Sequence, residues 1–343
     1  MVVPPELAGP LDRALRAMVS QVDRRGPDPA VQVERRGPDP AVQVDRRGPD
    51  PAPGVSEGAQ ARSVSWGRVR EWIRRGKVSV DGVVVVDEAA RVRVGARVEL
   101  NLAARAPGRR ELGDDTVVHC DAHVVVVDKP SGVSTVPWDE ADVDTLDARV
   151  RGWLERRAGA GRGGPPPLGV VQRLDKETSG LVVFTRTWLA KKSLAGQLRR
   201  HTVHRRYLAI AHGDVAPRTI RSRLVEDRGD GLRGSARSRG AAGAREAITH
   251  VERVERLRGA TLVACRLETG RTHQIRIHLS EAGHPVVGER VYVRRYAAPL
   301  IEAPRLMLHA AELGFVHPAT EREVRFERAP PADFQKLLES LRS

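Results

Sequence analysis

Gln172-Arg173-Leu174-Asp175-Lys176-Glu177-Thr178-Ser179-Gly180-Leu181 is the densest run of chemistry-bearing residues in the chain. One acid, Asp175, sits between Arg173 and Lys176, with apolar runs on either side. By residue type alone this is a turn, because Asp, Lys, Glu, Thr, Ser and Gly are ordinary turn formers. Residues 170–185 therefore read as an apolar strand pair around a charged turn. Next comes a helix over residues 187–200, with Thr187 as cap and Ala190, Leu194 and Leu198 inward. Upstream, residues 124–127 read as a buried strand entering Asp128-Lys129-Pro130. Downstream, residues 207–212 and 260–267 read as strands. Thr272 can cap a helix to Ala282, with Ile275 and Leu279 inward and Gly283 as its end. Residues 156–167 read as a loop, and the Gly/Arg-rich residues 226–244 as a mobile one. Strands and helices do not alternate as βαβ units, which predicts an α+β domain over a doubly wound sheet.

The chain of 343 residues is long enough for two domains. It is 40% hydrophobic, enough for a real core, and carries a net charge of +14. Only Lys77, Lys129, Lys176, Lys191, Lys192 and Lys336 are lysines, so arginine supplies most of the positive charge. That balance fits a polyanion, since the arginine fork donates two parallel hydrogen bonds to phosphate. No window approaches 18 uninterrupted apolar residues, which argues against a transmembrane helix. The start lacks the pattern of a secretory signal, and two cysteines cannot build a disulfide framework or a cysteine zinc cage. A cytoplasmic location is the expectation.

Toward the amino terminus, Leu11, Ala14, Leu15 and Met18 form a helical stripe within residues 5–22. A second helix over residues 65–76 has Ser65 as cap, Val69, Trp72 and Ile73 as its apolar face, and Gly76 as its stop. A strand, an Asp81-Gly82 turn and another strand follow, then a strand over residues 90–100 broken at Gly95. Between the two helices, residues 23–52 repeat Asp-Arg-Arg-Gly-Pro-Asp-Pro-Ala-Val-Gln-Val with a period of 11. Two prolines per unit forbid a continuous helix, and the segment's six arginines are balanced by six acids. The segment is expected to be a disordered insertion that adds nothing to the net charge. Residues 103–113 read as an Ala/Arg/Pro/Gly linker.

Two further segments carry chemistry. Thr269-Gly270-Arg271-Thr272-His273-Gln274-Ile275-Arg276-Ile277-His278 places two arginines at the start of a helix. The spacing of His273, His278 and His284 does not stack on one helical face, so a metal is not expected. Residues 188–213 hold Lys191, Lys192, Arg199, Arg200, Arg205 and Arg206, followed by Tyr207 entering a strand. A basic run beside an aromatic side chain suits a nucleic-acid backbone with a stacked base.

Together these segments resemble the RluA-type pseudouridine synthases. The pattern H-R-L-D-x-x-T-S-G matches residues 172–180, with Gln172 for His; T-G-R-x-H-Q-I-R-x-H matches residues 269–278. N-K-P-x-G matches residues 128–132 with Asp128 for Asn. R-L-x-L-H-A and F-x-H-P match residues 305–310 and 315–318. Glu289 stands where the family has Asp. The resemblance spans about residues 114–335 and implies a catalytic domain over 114–343 with a mainly antiparallel mixed sheet. It implies isomerisation of uridine in ribosomal or transfer RNA with no cofactor and no metal, by a protein expected to be monomeric. It assigns the catalytic carboxylate to Asp175, its partner to Arg276 rather than Arg271, and base stacking to Tyr207. Arg173 would replace the everted base. Residues 1–102, less specifically, resemble an S4-type RNA-binding domain of small α/β build, with Asp81 for the family's Asn. Arg68, Arg74, Arg75, Lys77 and Arg271 join Lys191, Lys192, Arg199, Arg200, Arg205 and Arg206 as the expected RNA-binding set.

Overall fold

The computed structural model describes residues 2–25 (side chains through 19), 64–86, 90–104, 110–138, 142–158, 167–236, 238, 241–293 and 296–342. The chain forms two compact units, Met1–Pro107 and Gly108–Ser343.

The first unit contains β1 (Gly9–Pro10), α1 (Leu11–Arg25), α2 (Trp66–Arg74), β2 (Val78–Val80), β3 (Val83–Val85), β4 (Arg91–Val92) and β5 (Val98–Leu100). The expected stripe is its core: Leu11, Ala14, Leu15 and Met18 of α1 pack with Val69 and Ile73 of α2 and with Val78 and Val98. Ser65 caps α2 by accepting the N–H of Arg68 at 3.3 Å. Asp81 and Gly82, at φ 51° and 79°, make the two-residue turn that joins β2 to β3, since hairpins of that length need positive φ at both positions. Residues 23–25 complete α1, which corrects the expectation that the insertion is disordered from residue 23. The first breaker is Gly26-Pro27; from Gly26 onward the repeats lie outside the described residues.

The second unit is built on one large sheet. Its strands are β6 (Val117–Cys120), β7 (Val124–Lys129), β8 (Gly169–Val170), β9 (Ser179–Thr185), β10 (His204–His212), β11 (Arg218–Val225), β12 (Gly234–Ser235), β13 (Arg245–Leu257), β14 (Ala260–Leu267), β15 (Leu308–Val316) and β16 (Glu323–Glu327). The order is β12-β11-β13-β14-β10-β15-β9-β7-β6, with β16 added to β15 and β8 to β9. Among the described residues β15–β9 is the parallel pair and the remaining pairs are antiparallel. The domain is thus α+β with a mixed, mainly antiparallel sheet.

Helices α3 (Leu146–Ala158), α4 (Trp188–Arg199), α5 (Gln274–Glu281) and α6 (Ala332–Arg342) cover it. Strand alternation sorts the core into two faces. Val125, Val127, Val182, Phe184, Leu308 and Ala310 pack with α3, α5 and α6. Val124, Val126, Leu181, Val183, Leu313 and Phe315 pack with Ala190 and Leu194 of α4 on the other face.

Candidate active site

Asp175 lies in the loop that enters β9, and a second loop holds it in place. Lys129, at the end of β7, is fully buried, and its Nζ donates to the carbonyls of Pro130, Val133 and Lys176 at 2.8–2.9 Å. Three N–H groups meet three carbonyls, and the last belongs to the neighbour of Asp175. Burial pushes the Lys129 ammonium down to about 7, while the Asp175 charge opposes that shift. Thr135 Oγ1 donates to the Leu174 carbonyl at 2.9 Å and accepts the Leu174 N–H at 3.1 Å. Ser131 donates to the carbonyl of Glu177. The turn closes on itself through the Thr178 N–H and the Asp175 carbonyl, 3.1 Å apart.

One rung of the sheet carries this loop to the rest of the site. Lys129 pairs with Gly180, Gly180 with Ala310, Ala310 with Tyr207, and Tyr207 with Cys265. Gly180 has φ 111°, and a Cβ there would lie 2.3 Å from the Ala310 carbonyl oxygen. Only glycine lets the parallel pair close directly behind Asp175. Tyr207 is buried on the α5 face, beside Leu174 in the core. Burial raises the phenol pKa; Arg205 opposes and Asp175 adds to that shift, so the hydroxyl is protonated at neutral pH.

The fourth part comes from α5. The expected Thr272 cap is replaced: the helix begins at Gln274, and His273 precedes it at φ 58° with no side-chain cap. Gln274 does the anchoring instead. Its Oε1 accepts from Thr269 Oγ1 and the Arg271 N–H, and its Nε2 donates to the Ile248 carbonyl and Thr249 Oγ1. From this base Arg276 points Nη1 at Asp175 Oδ2, 3.4 Å away. Its Nε and Nη2 go to Glu289, at 2.6 and 2.8 Å. Burial alone would raise the Glu289 carboxyl. The bonds from Arg276 and the N–H groups of Val291 and Tyr292 outweigh it and hold the carboxyl below its ordinary range. The same pairing raises Arg276 against its own burial.

His273 and Tyr292 complete the wall. His273 Nε2 is 3.9 Å from Asp175 Oδ2, and its Nδ1 is 2.7 Å from the Tyr292 hydroxyl. Burial lowers the His273 pKa, with Asp175 opposing. The lowered value favours the neutral imidazole, which shares one hydrogen bond with the Tyr292 hydroxyl. The Arg276 guanidinium also lies 5.4 Å from the Tyr292 ring centre. Asp175 itself is 21% exposed, open enough to be reached from solvent.

The structure therefore brings Asp175, Tyr207 and Arg276 together. Arg173 is exposed two residues from Asp175. Arg271 instead donates Nε to the Glu246 carbonyl and makes no described bond to Asp175. Arg205 corrects the expected RNA-binding set: it is on the buried side of the alternation that opens β10 and donates to the Glu268 carbonyl. Arg206 pairs with Glu312 at 2.8 Å. The basic helix lies on another face. α4 covers the sheet face opposite Tyr207, and Gln197 near its end bonds the main chain of Val316. Val316 is six residues along β15 from Ala310, roughly 20 Å of strand. Lys191, Lys192, Arg199 and Arg200 are exposed there, away from Asp175. In the first unit, Arg68 is exposed, Arg74 is half-buried, Arg75 pairs with Glu71 and Lys77 donates to the Ala104 carbonyl.

Lys129, Glu289, His273 and Tyr292 were not singled out as site residues from sequence. Three of them fall inside or beside the quoted motifs, and Tyr292 follows Glu289 by three positions. The histidines weighed for metal go to separate partners: His278 to Ser222 and Thr249, His284 to the His212 carbonyl. Elsewhere His119 and His317 both bond Asp121 Oδ2 at 2.9 Å. His317 Nδ1 accepts the N–H groups of Ala319 and Thr320, so its Nε2 carries the proton and is not a metal ligand in this arrangement.

Asp175 in its loop, Arg276 from α5 with Glu289 behind it, and the buried Tyr207 of β10 make up the candidate active site. A model of the RNA pseudouridylate synthase family matches residues 123–281. The ribosomal large subunit pseudouridine synthase D of Zymomonas mobilis is 34% identical over 287 residues, covering 80% of this chain and 88% of that one. An uncharacterised RNA pseudouridine synthase of Bacillus subtilis is 34% identical over 286 residues, covering 81% and 90%. The fold is also that of the human RNA pseudouridylate synthase domain containing 4, at a TM-score of 0.54 and 23% identity, over 66% of this chain and 93% of that one. The chain belongs to the RNA pseudouridine synthase family, and its reaction is the isomerisation of uridine in RNA to pseudouridine.

Proposed function

We propose that this chain modifies uridine in large-subunit ribosomal RNA and that Asp175 is the carboxylate that acts on the target nucleoside. The choice of RNA is supported by the names of the curated relatives. The role of Asp175 rests on one observation: its Oδ2, on the loop that enters β9, faces the Arg276 guanidinium at 3.4 Å. The reaction breaks N1–C1′, turns the uracil and forms C5–C1′; N1 gains a proton and C5 loses one. No redox change occurs, and a carboxylate can serve as nucleophile or base. Arg276 holds the Asp175 oxygens in place as the base enters. Tyr207 offers its ring to the uracil, and its protonated hydroxyl is a hydrogen-bond donor there. Arg173 fills the space left by the everted uridine, whose unstacking costs a few kcal/mol. The first unit acts as an S4-like RNA-binding module through the face bearing Arg68. The protein works as a cytoplasmic monomer.

The test uses ribosomal RNA from a strain lacking the gene, labelled with 5-tritiated uridine. Wild type releases tritium and restores one or more carbodiimide-reactive positions. Asp175→Asn releases none while still binding the RNA, since an amide is neither nucleophile nor base. Wild-type release by the variant would remove Asp175 from the chemistry, and transfer RNA as the better substrate would overturn the choice of target.

A further inference from the structure

We infer that Trp138 is a stacking platform for an unpaired RNA base beside the target uridine. This inference rests on the reading of Asp175 given above.

Trp138 is 85% exposed, a rare state for the largest apolar side chain. The other four tryptophans, of which Trp153 is buried, have cover. The Arg16 guanidinium lies 4.6 Å from the Trp66 ring centre, Arg157 lies 4.8 Å from Trp153, and the Lys192 ammonium lies 5.1 Å from Trp188. Trp72 packs against the first unit's core. Among the described residues, no cation lies over Trp138.

The described residues on either side of it are tied to the fold. The Leu146 N–H donates to the Ser134 carbonyl at 2.8 Å, and the Asp147 N–H to the Thr135 carbonyl at 3.1 Å. The two ends of the loop are thereby tied at the start of α3. Pro137 fixes the backbone just before the ring, and the Trp138 N–H reaches Asp142 Oδ2 at 3.4 Å. Holding an aromatic ring out on a tied loop lowers the entropy lost when something stacks on it.

The same loop is joined to the catalytic loop. Thr135 Oγ1 makes both of its bonds to the main chain of Leu174, between Arg173 and Asp175. Trp138 is three residues on, at most about 11 Å of backbone. An RNA strand that delivers a uridine to Asp175 passes within a few nucleotides of this ring. Everting one base unstacks its neighbours, and single-stranded RNA is read by aromatic rings that take the face of such a base. The net charge of +14 favours RNA over an acid-poor protein partner.

The test compares wild type, Trp138→Ala, Trp138→Phe and, as a control on the opposite sheet face, Trp188→Ala. Single-stranded oligouridylate is titrated with tryptophan fluorescence as the readout, and turnover is measured on ribosomal RNA from the deletion strain. Trp138→Ala is expected to weaken binding roughly 5- to 150-fold, the span for loss of one base–aromatic stack. It raises KM with little change in kcat, and Trp138→Phe recovers most of the loss. Trp188→Ala binds as wild type does. Unchanged affinity in Trp138→Ala, a fall in kcat alone, or no recovery by Phe would each overturn the inference. Binding needs no turnover, so the two readings fail separately. Wild-type tritium release by Asp175→Asn, with affinity still lost in Trp138→Ala, would sink the assignment of Asp175 and leave Trp138 standing.

Discussion

Arg276 gives two nitrogens to Glu289 and only its third, Nη1, to Asp175. The shorter bonds, 2.6 and 2.8 Å against 3.4 Å, are the ones made away from the chemistry. Glu289 is wholly buried and is further held by the N–H groups of Arg290 and Val291 at 3.0 and 2.8 Å. Gly288 makes this turn possible: a Cβ there would lie 1.9 Å from the Arg305 carbonyl oxygen. The arginine is thus fixed before substrate arrives, and one donor is left aimed at the carboxylate. Such a buried pair gives geometry more dependably than it gives net stability.

Glu289→Gln therefore damages both. It leaves a buried guanidinium without its counter-charge, which costs roughly 3–5 kcal/mol. It also releases Arg276 from its two-point hold, so kcat falls by on the order of a hundredfold while RNA affinity changes little. The pH dependence has a definite sign. The folded Glu289 carboxyl titrates below its ordinary value of 4.5, so its stabilisation is complete above that pH and is lost as pH falls through the folded value. Denaturant unfolding of wild type and variant should differ by a constant amount from pH 6 to 8. The difference should shrink in acid. A gap that widens in acid would show that Glu289 is not the charge holding Arg276.

Lys129 offers a different kind of test, because it touches no reacting group. Lys129→Met keeps the length of the side chain and takes the donor from three carbonyls, of which that of Lys176 keeps the Gly132 N–H at 2.8 Å and that of Val133 is buried. A buried group left unsatisfied costs about 1–3 kcal/mol, so a loss of roughly that size is expected from the Val133 carbonyl. Lys129→Arg does not rescue it, since the site is closed and shaped for a single nitrogen. At temperatures where the variant is folded, kcat on ribosomal RNA should fall more than affinity does. Wild-type kcat in a folded Lys129→Met protein would mean that Asp175 is held by Thr135 and Ser131 without it.

Much of this was legible in the sequence where one periodicity decides one contact. The α1 stripe, the Ser65 and Thr187 caps and the Asp81-Gly82 turn each depend on residues a few positions apart. β11 and β13 were not legible, because their arginines and glutamates hide the alternation that marks a strand. The start of α5 differs from the Thr272 cap because Gln274 bonds the preceding turn and β13, contacts that no local signal announces. The three central residues could be named through long motifs. The place of α4 could not, because it depends on the parity of Leu181, Val183 and Leu313 in a sheet whose register only the fold supplies.

That parity sets the last prediction, which concerns salt. Each phosphate neutralised by a bound cation contributes about 0.7 to the slope of log affinity against log salt for a single strand. Arg173 and Lys176 are exposed on either side of Asp175, on the loop that an incoming strand must meet. Replacing both with Gln should lower the slope for single-stranded oligouridylate by roughly 1.4 if each meets one phosphate. Arg199 and Arg200 are equally basic and equally exposed, but they sit at the end of α4, on the face that Tyr207 does not share. Replacing them should leave the slope for the short strand unchanged. The comparison holds the change in net charge constant at two, so a general electrostatic effect would move both variants alike. Equal slopes in the two variants would mean that the field of the whole protein, not the loop around Asp175, draws the RNA in. A larger effect from Arg199 and Arg200 would place the strand across α4 and return that helix to the binding surface.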